Sequence, residues 1–511
     1  MEKVQQHNDV SNAIYLEYWG KVKISFSHMA IVVLFLIFIF LVSYVAIRRG
    51  KSSIDLPPGP LRLPIIGNFH LLKLPLHESL AKLSATYGDL MFLQLGSVPT
   101  IVVSSKKVLD EISKSHDHNF SSRPTIRSAT KIDYGCSFIF AQYGSYWREI
   151  RKLTTLELLS SKKVQSFDKI REEEVAGVGR SIAESSGAIN VTKLLNILTS
   201  NIICRAAFGS SEFKGKDADK LSRELQNLAG SICIADFFPR LGFLDRLTGF
   251  EKRLEDGSAE ISKFSDEILE FHRDPNRSRT EHEDLVDVLL HLQEKSSNFS
   301  DNSIKAIIQD FFMAATDTSL ATMEWTMVEL VRNPDIMKKV QDEVDGVVKN
   351  GRLETSDVGK LSYLKMVIKE SLRLHPVGPL LLPRETIEQC IVKGYKIPAK
   401  TRVFVNASVI HMDGDTWENP HEFKPERFSS NSMDFRGQSS EYVPFGFGRR
   451  VCPGIDFSSS LAELGLGSLL YNYDWRLPDG VTVENMNMEE DLGFAVKLKY
   501  PLTAVPTLRL P

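Results

Sequence analysis

Cysteine is scarce in this chain, and none of it is paired. The five cysteines, Cys136, Cys204, Cys233, Cys390 and Cys452, are odd in number and widely scattered. That argues against a disulfide framework and for a reducing, cytosol-facing compartment. None stands in a Cys-x-x-Cys pair, so a structural zinc site, which takes four ligands, is not indicated. Surplus charge is also lacking: a net charge of −3 over 511 residues leaves no footprint for nucleic acid. There is no flavin or nicotinamide fingerprint, no internal repeat and no low-complexity tract. A hydrophobic content of 42% with 25% charged residues is that of an ordinary globular protein, long for one domain but within the range of large catalytic domains.

One stretch departs from the soluble pattern. Residues 29–47 read MAIVVLFLIFIFLVSYVAI, nineteen residues without a charge. As a helix they would span roughly 28 Å, about one hydrocarbon core. The run is long for a cleaved signal peptide, and no small-x-small pattern follows it. Arg48, Arg49 and Lys51 come directly after it, against Lys21 and Lys23 before it, which places the body on the cytosolic side. The division expected is a polar tail (1–28), a transmembrane anchor (29–47), a basic stop and proline-rich hinge (48–70), and a catalytic domain (71–511). The hinge contains Leu56-Pro57-Pro58-Gly59-Pro60, whose fixed φ angles predict a stiff, extended spacer.

Beyond residue 75 the patterning is mostly helical, as in residues 77–87, 108–115 and 163–184. Short strand-like runs occur at 90–95, 100–104, 390–397 and 402–406. The fold class expected is mainly α with a minor β region. Residues 301–327 have the character of a long buried helix, into which the sequence sets Thr316, Asp317, Thr318 and Ser319. A buried carboxylate is costly unless paired. Asp317 therefore either meets a distant Lys or Arg while the hydroxyls bond back to carbonyls one turn earlier, or has a chemical task.

The segment Phe445-Gly446-Phe447-Gly448-Arg449-Arg450-Val451-Cys452-Pro453-Gly454 puts a lone cysteine in a glycine-punctuated, arginine-bearing loop. Such a cysteine suits a thiolate that holds a heme iron from one side, with loop amides donating to the sulfur. The segment resembles the Phe-x-x-Gly-x-Arg-x-Cys-x-Gly signature of cytochromes P450, matching at Phe445, Gly448, Arg450, Cys452 and Gly454. Ala314-Ala315-Thr316-Asp317-Thr318-Ser319 is similar to that family's oxygen-activating helix motif, with Ala315 where glycine is usual. Glu370 and Arg373, at i and i+3, together with Pro425-Glu426-Arg427-Phe428, resemble the family's structural Glu-x-x-Arg and Pro-Glu-Arg-Phe pair. The hinge also resembles that of microsomal members. The resemblance runs from about residue 56 to the C-terminus and points to the plant A-type group of specialised metabolism.

The resemblance implies a cytochrome P450 fold behind the transmembrane helix, heme b as cofactor, and Cys452 as the axial iron ligand. Trp147, Arg151 and Arg450 would reach a heme propionate, with Arg384 and Arg123 as further candidates. Thr318 would hydrogen-bond dioxygen or an ordered water, and Asp317 would relay protons to it from bulk. Electrons would come from NADPH–cytochrome P450 reductase, and Arg148, Lys152, Lys424 and Arg449 suggest a basic docking patch. The protein would sit in the endoplasmic reticulum membrane with its catalytic domain in the cytosol. Residues 126–140, 311–315, 377–381 and 492–496 would line the substrate chamber, with Val377, Leu380, Leu381, Phe494 and Val496 as its apolar members. A bulky apolar plant metabolite fits, a sesqui- or diterpene first and a terpenoid-indole alkaloid second. A heme-thiolate isomerase or dehydratase would have no need of Asp317 and Thr318, and a heme sensor or carrier would need neither that pair nor an apolar chamber.

Overall fold

Apolar residues on both sides of Gly96-Ser97 fold back as a hairpin of β1 (Leu90–Leu95) and β2 (Val98–Val103), paired from Leu90 with Val103 to Leu95 with Val98. Gly96 turns the chain at φ +59°, and a Cβ there would lie 2.5 Å from the Phe237 carbonyl oxygen. The sheet is completed by β3 (Arg384–Glu385) and β4 (Arg402–Val405) in the order β1-β2-β4-β3. β4 runs parallel to β2, Thr100 opposite Arg402. Residues 390–397 resolve into two short strands, Cys390–Val392 and Tyr395–Ile397, because Lys393 and Gly394 both take positive φ and close a tight turn between them. Near the C-terminus β5 (Glu490–Leu492) and β6 (Val496–Leu498) form a separate antiparallel ribbon.

The structure, a computed structural model, describes residues 32–40, 55–209, 213, 216–231, 233–277, 283–295, 299–429 and 433–509. Helices dominate it. α1 (Ser145–Leu153) carries the Trp-x-x-x-Arg pair. α2 (Val191–Phe208) opens on Asn190, whose side chain accepts from Lys193 N at 2.8 Å, and closes on Gly209 at φ +65°. α3 (Asp301–Arg332) is capped by Ser300 and stopped by Asn333-Pro334. Its 32 residues, about 48 Å of helix, are buried on nearly every side. α2 lies against it, and α4 (Ser362–Leu374) and α5 (Ile455–Asn472) pack on its other flanks. The continuous helix expected over 163–184 is instead two, Ser161–Gln165 and Asp168–Ala183. The chain bends at Ser166-Phe167, which turns Phe167 into the core at 2% exposure.

The hinge is fastened to the body from Pro58 onward. Phe92 N donates to Pro58 O at 2.8 Å, Gln94 N to the Asn68 side chain at 2.8 Å, and Asn68 Nδ2 to Leu61 O at 3.0 Å. Within the expected anchor, residues 32–40 are helical and exposed; 29–31, 41–47 and the polar tail 1–28 lie outside the described residues. Among the described residues no helix is long and apolar enough to cross a membrane.

Candidate active site

Between α3 and the cysteine loop lies a cavity of about 270 Å³. Cys452, Phe445 and Gly454 of the loop and Thr318 of α3 line it, and Arg123, Arg151, Arg384 and Arg450 also reach its wall. Each segment expected to line a substrate chamber contributes: Phe138 and Ile139, Phe311 with Ala314 and Ala315, Val377 with Leu381, and Phe494. Leu380 and Val496 lie outside the lining. Leu380 packs toward the β1–β2 hairpin, and Val496 N donates to Val377 O at 2.9 Å.

The cysteine loop is shaped by its own backbone. Cys452 N donates to Phe445 O at 2.9 Å, while Gly446 and Gly448 stand at φ +78° and +59°. Gly454 N donates to the Cys452 sulfur at 3.3 Å. Burial pushes the thiol upward, whereas this amide and the Arg151 guanidinium favour the thiolate. Gly448 does not face the cavity. A Cβ there would stand 1.9 Å from Asp117 Oδ1, so glycine is required for Asp117 to approach the loop.

The four arginines are held by carbonyls. Arg123 donates to Ile139, Leu382 and Pro383; Arg151 to Val451; Arg384 to Phe447 at 2.6 Å; and Arg450 to Ser121 at 2.7 Å and Ala141 at 2.6 Å. Burial and the neighbouring guanidiniums of Arg450, Arg384 and Arg151 hold Arg123 well below the ordinary arginine value. Arg450 is lowered to about 9 and Arg384 to about 10, burial being the first cause in both. Asp117 is the acid that approaches them, 3.9 Å from Arg384. Among the described residues these guanidiniums have an acid only at Arg384, 3.9 Å away, which calls for an anion of more than one charge at the wall. A thiol with an amide donor on one side of such an anion site fits a heme carrying two propionates. Trp147 is not at the wall: its indole N–H donates to Phe138 O at 3.0 Å, and Arg450 stacks on its ring at 4.0 Å.

Across the cavity, α3 continues unbroken past Ala315. Thr318 Oγ1 donates to Ala314 O at 2.6 Å. Asp317 faces away from the cavity and is paired with Lys497 of β6 at 2.8 Å. The acid and the alcohol thus adopt the paired and back-bonded arrangement, with Thr318 at the wall and Asp317 outside it.

Behind the cysteine loop, Glu370 and Arg373 of α4 are fully buried. Glu370 takes Arg373 at 2.7 and 2.9 Å and Arg427 Nε at 2.9 Å. Arg373 goes on to the carbonyls of His411 and Pro420. Burial and then Arg373 lower His411 to about 3, and its neutral ring accepts Val443 N at 3.0 Å, just ahead of the loop. Sequence reasoning did not find Asp310, Asp117 or Lys497. Asp310 was legible as an acid two helical turns before Thr318 on the same face of α3; the other two left no local signal. Of the basic patch, Arg148 lies over the Tyr143 ring at 5.6 Å, Arg449 is bound to Asp117 at 3.2 Å, Lys424 reaches Glu418 at 3.9 Å, and Lys152 is exposed. His272, Asp284 and Asp287, whose ligand atoms lie within 4.8 Å of one another, are joined by Arg277, which pairs with both carboxylates.

A half-buried cysteine loop, a long apolar helix near it and a surplus of arginine at the cavity wall define a heme-thiolate site. The Cytochrome P450 family profile matches residues 57–502, and the chain belongs to that family as a plant member of the A-type. It is 48% identical to strychnine-11-hydroxylase of Strychnos nux-vomica, over 92% of this chain and 95% of that one. It is 43% identical to tabersonine 6,7-epoxidase isoform 1 of Catharanthus roseus (90% and 92%) and 40% identical to costunolide synthase of Cichorium intybus (94% and 98%). It is a heme-thiolate monooxygenase, an oxidoreductase that uses heme b, dioxygen, a redox partner and a small-molecule substrate.

Proposed function

We propose that this monooxygenase inserts one oxygen atom into a bulky apolar plant metabolite, a sesqui- or diterpene, with electrons from NADPH–cytochrome P450 reductase. The observation that carries the reading is the cavity itself, which Cys452 and Thr318 both line together with apolar side chains. Bound there, heme supplies the activation of dioxygen. Cys452 ligates its iron, with Phe445, Gly448 and Gly454 shaping the loop; Arg123, Arg151, Arg384 and Arg450 neutralise the propionates, and Trp147 supports them through Phe138 and Arg450. Thr318 orients the water that delivers a proton, and Asp317 supplies that water once Lys497 releases it. Phe138, Ile139, Val377, Leu381 and Phe494 exclude solvent and orient the substrate.

Similarity to enzymes named for strychnine and tabersonine favours a second reading, an indole alkaloid as substrate. Co-expression with reductase in microsomes, fed terpenes and alkaloids, separates the two by which class gains one oxygen in mass. Cys452→Ser abolishes the carbon monoxide band of the reduced protein; a normal band would overturn the ligand assignment. Residues 29–47 anchor the protein in the endoplasmic reticulum membrane, with the catalytic domain cytosolic. Deleting residues 1–49 releases it from membranes with its heme spectrum intact, and loss of folding would contradict an anchor separate from the body.

A further inference from the structure

The loop from Ser137 to Ala141 is gripped from two directions. Its carbonyls belong to the arginine cluster: Phe138 O accepts from Trp147 at 3.0 Å and Arg450 at 3.4 Å, Ile139 O from Arg123 at 3.2 Å, and Ala141 O from Arg450 at 2.6 Å. Its amides belong to α3. Asp310 accepts from the Ser137 hydroxyl at 2.8 and 2.9 Å and from Phe138 N at 2.8 Å. Ser137 Oγ in turn accepts from Ile139 N and Phe140 N, both at 3.0 Å. One carboxyl group therefore organises three successive amides, directly or through one hydroxyl.

Asp310 is 2% exposed and lines the cavity with Ala314 and Thr318, at four-residue spacing on one face of α3. Burial pushes its carboxyl well above the ordinary range, and the charged neighbour that adds to this is another acid, Asp133. A carboxyl group in that position is unfavourable unless the donors around it give something in return. They come from the loop that carries Phe138 and Ile139 into the cavity.

We propose that Asp310 is a positioning residue for the oxygenation: through Ser137 and the Phe138 amide it fixes the 137–141 loop, and so sets the shape of the substrate chamber against the arginine cluster. The proposal rests on the reading of the cavity as the chamber above a heme. The loop, rather than a cationic substrate, is the partner of the carboxyl group, since the Ser137 hydroxyl spans both of its oxygens and Phe138 N is a second donor at Oδ2.

The test uses heme-loaded full-length protein as wild type, Asp310→Ala and Asp310→Asn. Amide exchange is followed in peptides covering residues 136–142, and two iron-binding probes, imidazole and the bulkier 4-phenylimidazole, are titrated by their Soret shift. In Asp310→Ala the loop should exchange on the order of tenfold faster and 4-phenylimidazole should bind about tenfold more weakly, while imidazole stays within about twofold. Asp310→Asn, which keeps an acceptor for Phe138 N, should recover most of both. Unchanged exchange in Asp310→Ala, or Asn behaving as Ala does, overturns the proposal. So does selective loss of an amine ligand in Asp310→Asn with the loop unaltered, which would mark direct contact instead. Should Asp310→Ala not fold, Ser137→Ala removes only the bridging hydroxyl and should move both readings the same way by less; no movement overturns the proposal. Absence of a carbon monoxide band in the wild type would be a separate failure, that of the heme reading.

Discussion

Two groups of buried charge in this molecule are built on opposite plans. Around Glu370 the charges close on themselves: one carboxylate takes two guanidiniums at 2.7 to 2.9 Å, and Arg373 gives its remaining donors to loop carbonyls. Around the cavity, Arg123, Arg151, Arg384 and Arg450 have carbonyl acceptors and one acid, 3.9 Å away. In the first group each guanidinium has a carboxylate within hydrogen-bond reach; in the second that role falls to an anion that joins it. The contrast separates buried charge that serves folding from buried charge held ready for a ligand.

Breaking the closed group should have the largest effect. Glu370→Ala leaves Arg373 and Arg427 without their counter-charge and should cost about 3–5 kcal/mol, read as a large fall in folded yield and in the unfolding midpoint. A variant of normal stability would mean the group is ornamental. The open group should respond differently. Arg450→Leu should hold heme poorly, and its heme-free form, which loses a repelling charge along with the bonds to Ser121 and Ala141, should lose less stability than the heme-loaded form does. An equal loss of stability in both forms would show that the cluster is structural.

Next in size are the two residues on α3. Asp317→Asn breaks the pair with Lys497 and should lower turnover by about tenfold or more, with heme content unchanged. Thr318→Ala should leave electron consumption running while hydrogen peroxide rises and product per NADPH falls several-fold. Unchanged coupling would mean the proton arrives by another route.

A pH-dependent effect concerns Glu463 of α5, raised by burial to about 7 from 4.5 despite Lys365 and Lys369. The folded state then binds more protons than the unfolded chain between those values, so stability should fall as pH rises from about 4.5 to 7, by up to on the order of 3 kcal/mol. Glu463→Gln should flatten that slope in unfolding midpoints measured across the window. A slope as steep as wild type would place the titration elsewhere.

What the sequence disclosed followed from how local the signal was. The cysteine loop and the long helix are continuous stretches, and Cys452, Phe445, Gly454 and Thr318 meet at one cavity. The arginines were legible only through their motifs, since residues 123, 151, 384 and 450 converge through folding. Trp147 read as a partner of Arg151 at helical spacing, whereas the stacking is with Arg450, from a loop 300 residues away. Asp117 and Lys497 are contacts across such distances and leave no periodic trace. Strand and helix boundaries failed where one or two residues decide them, at Ser166-Phe167 and Lys393-Gly394.

The β5–β6 ribbon carries Phe494 into the cavity and, three residues on, sets Lys497 on Asp317. If Phe494 contacts substrate and Asp317 relays protons, as proposed above, breadth of substrate and economy of oxygen use are inherited on a single short cassette. Exchanging residues 490–498 with those of a relative, to change what the enzyme accepts, would also rewrite the partner of Asp317. A chimera that gains a new substrate should thus be expected to leak more reducing power as peroxide, and restoring lysine at 497 alone should repair the leak while leaving the new specificity in place.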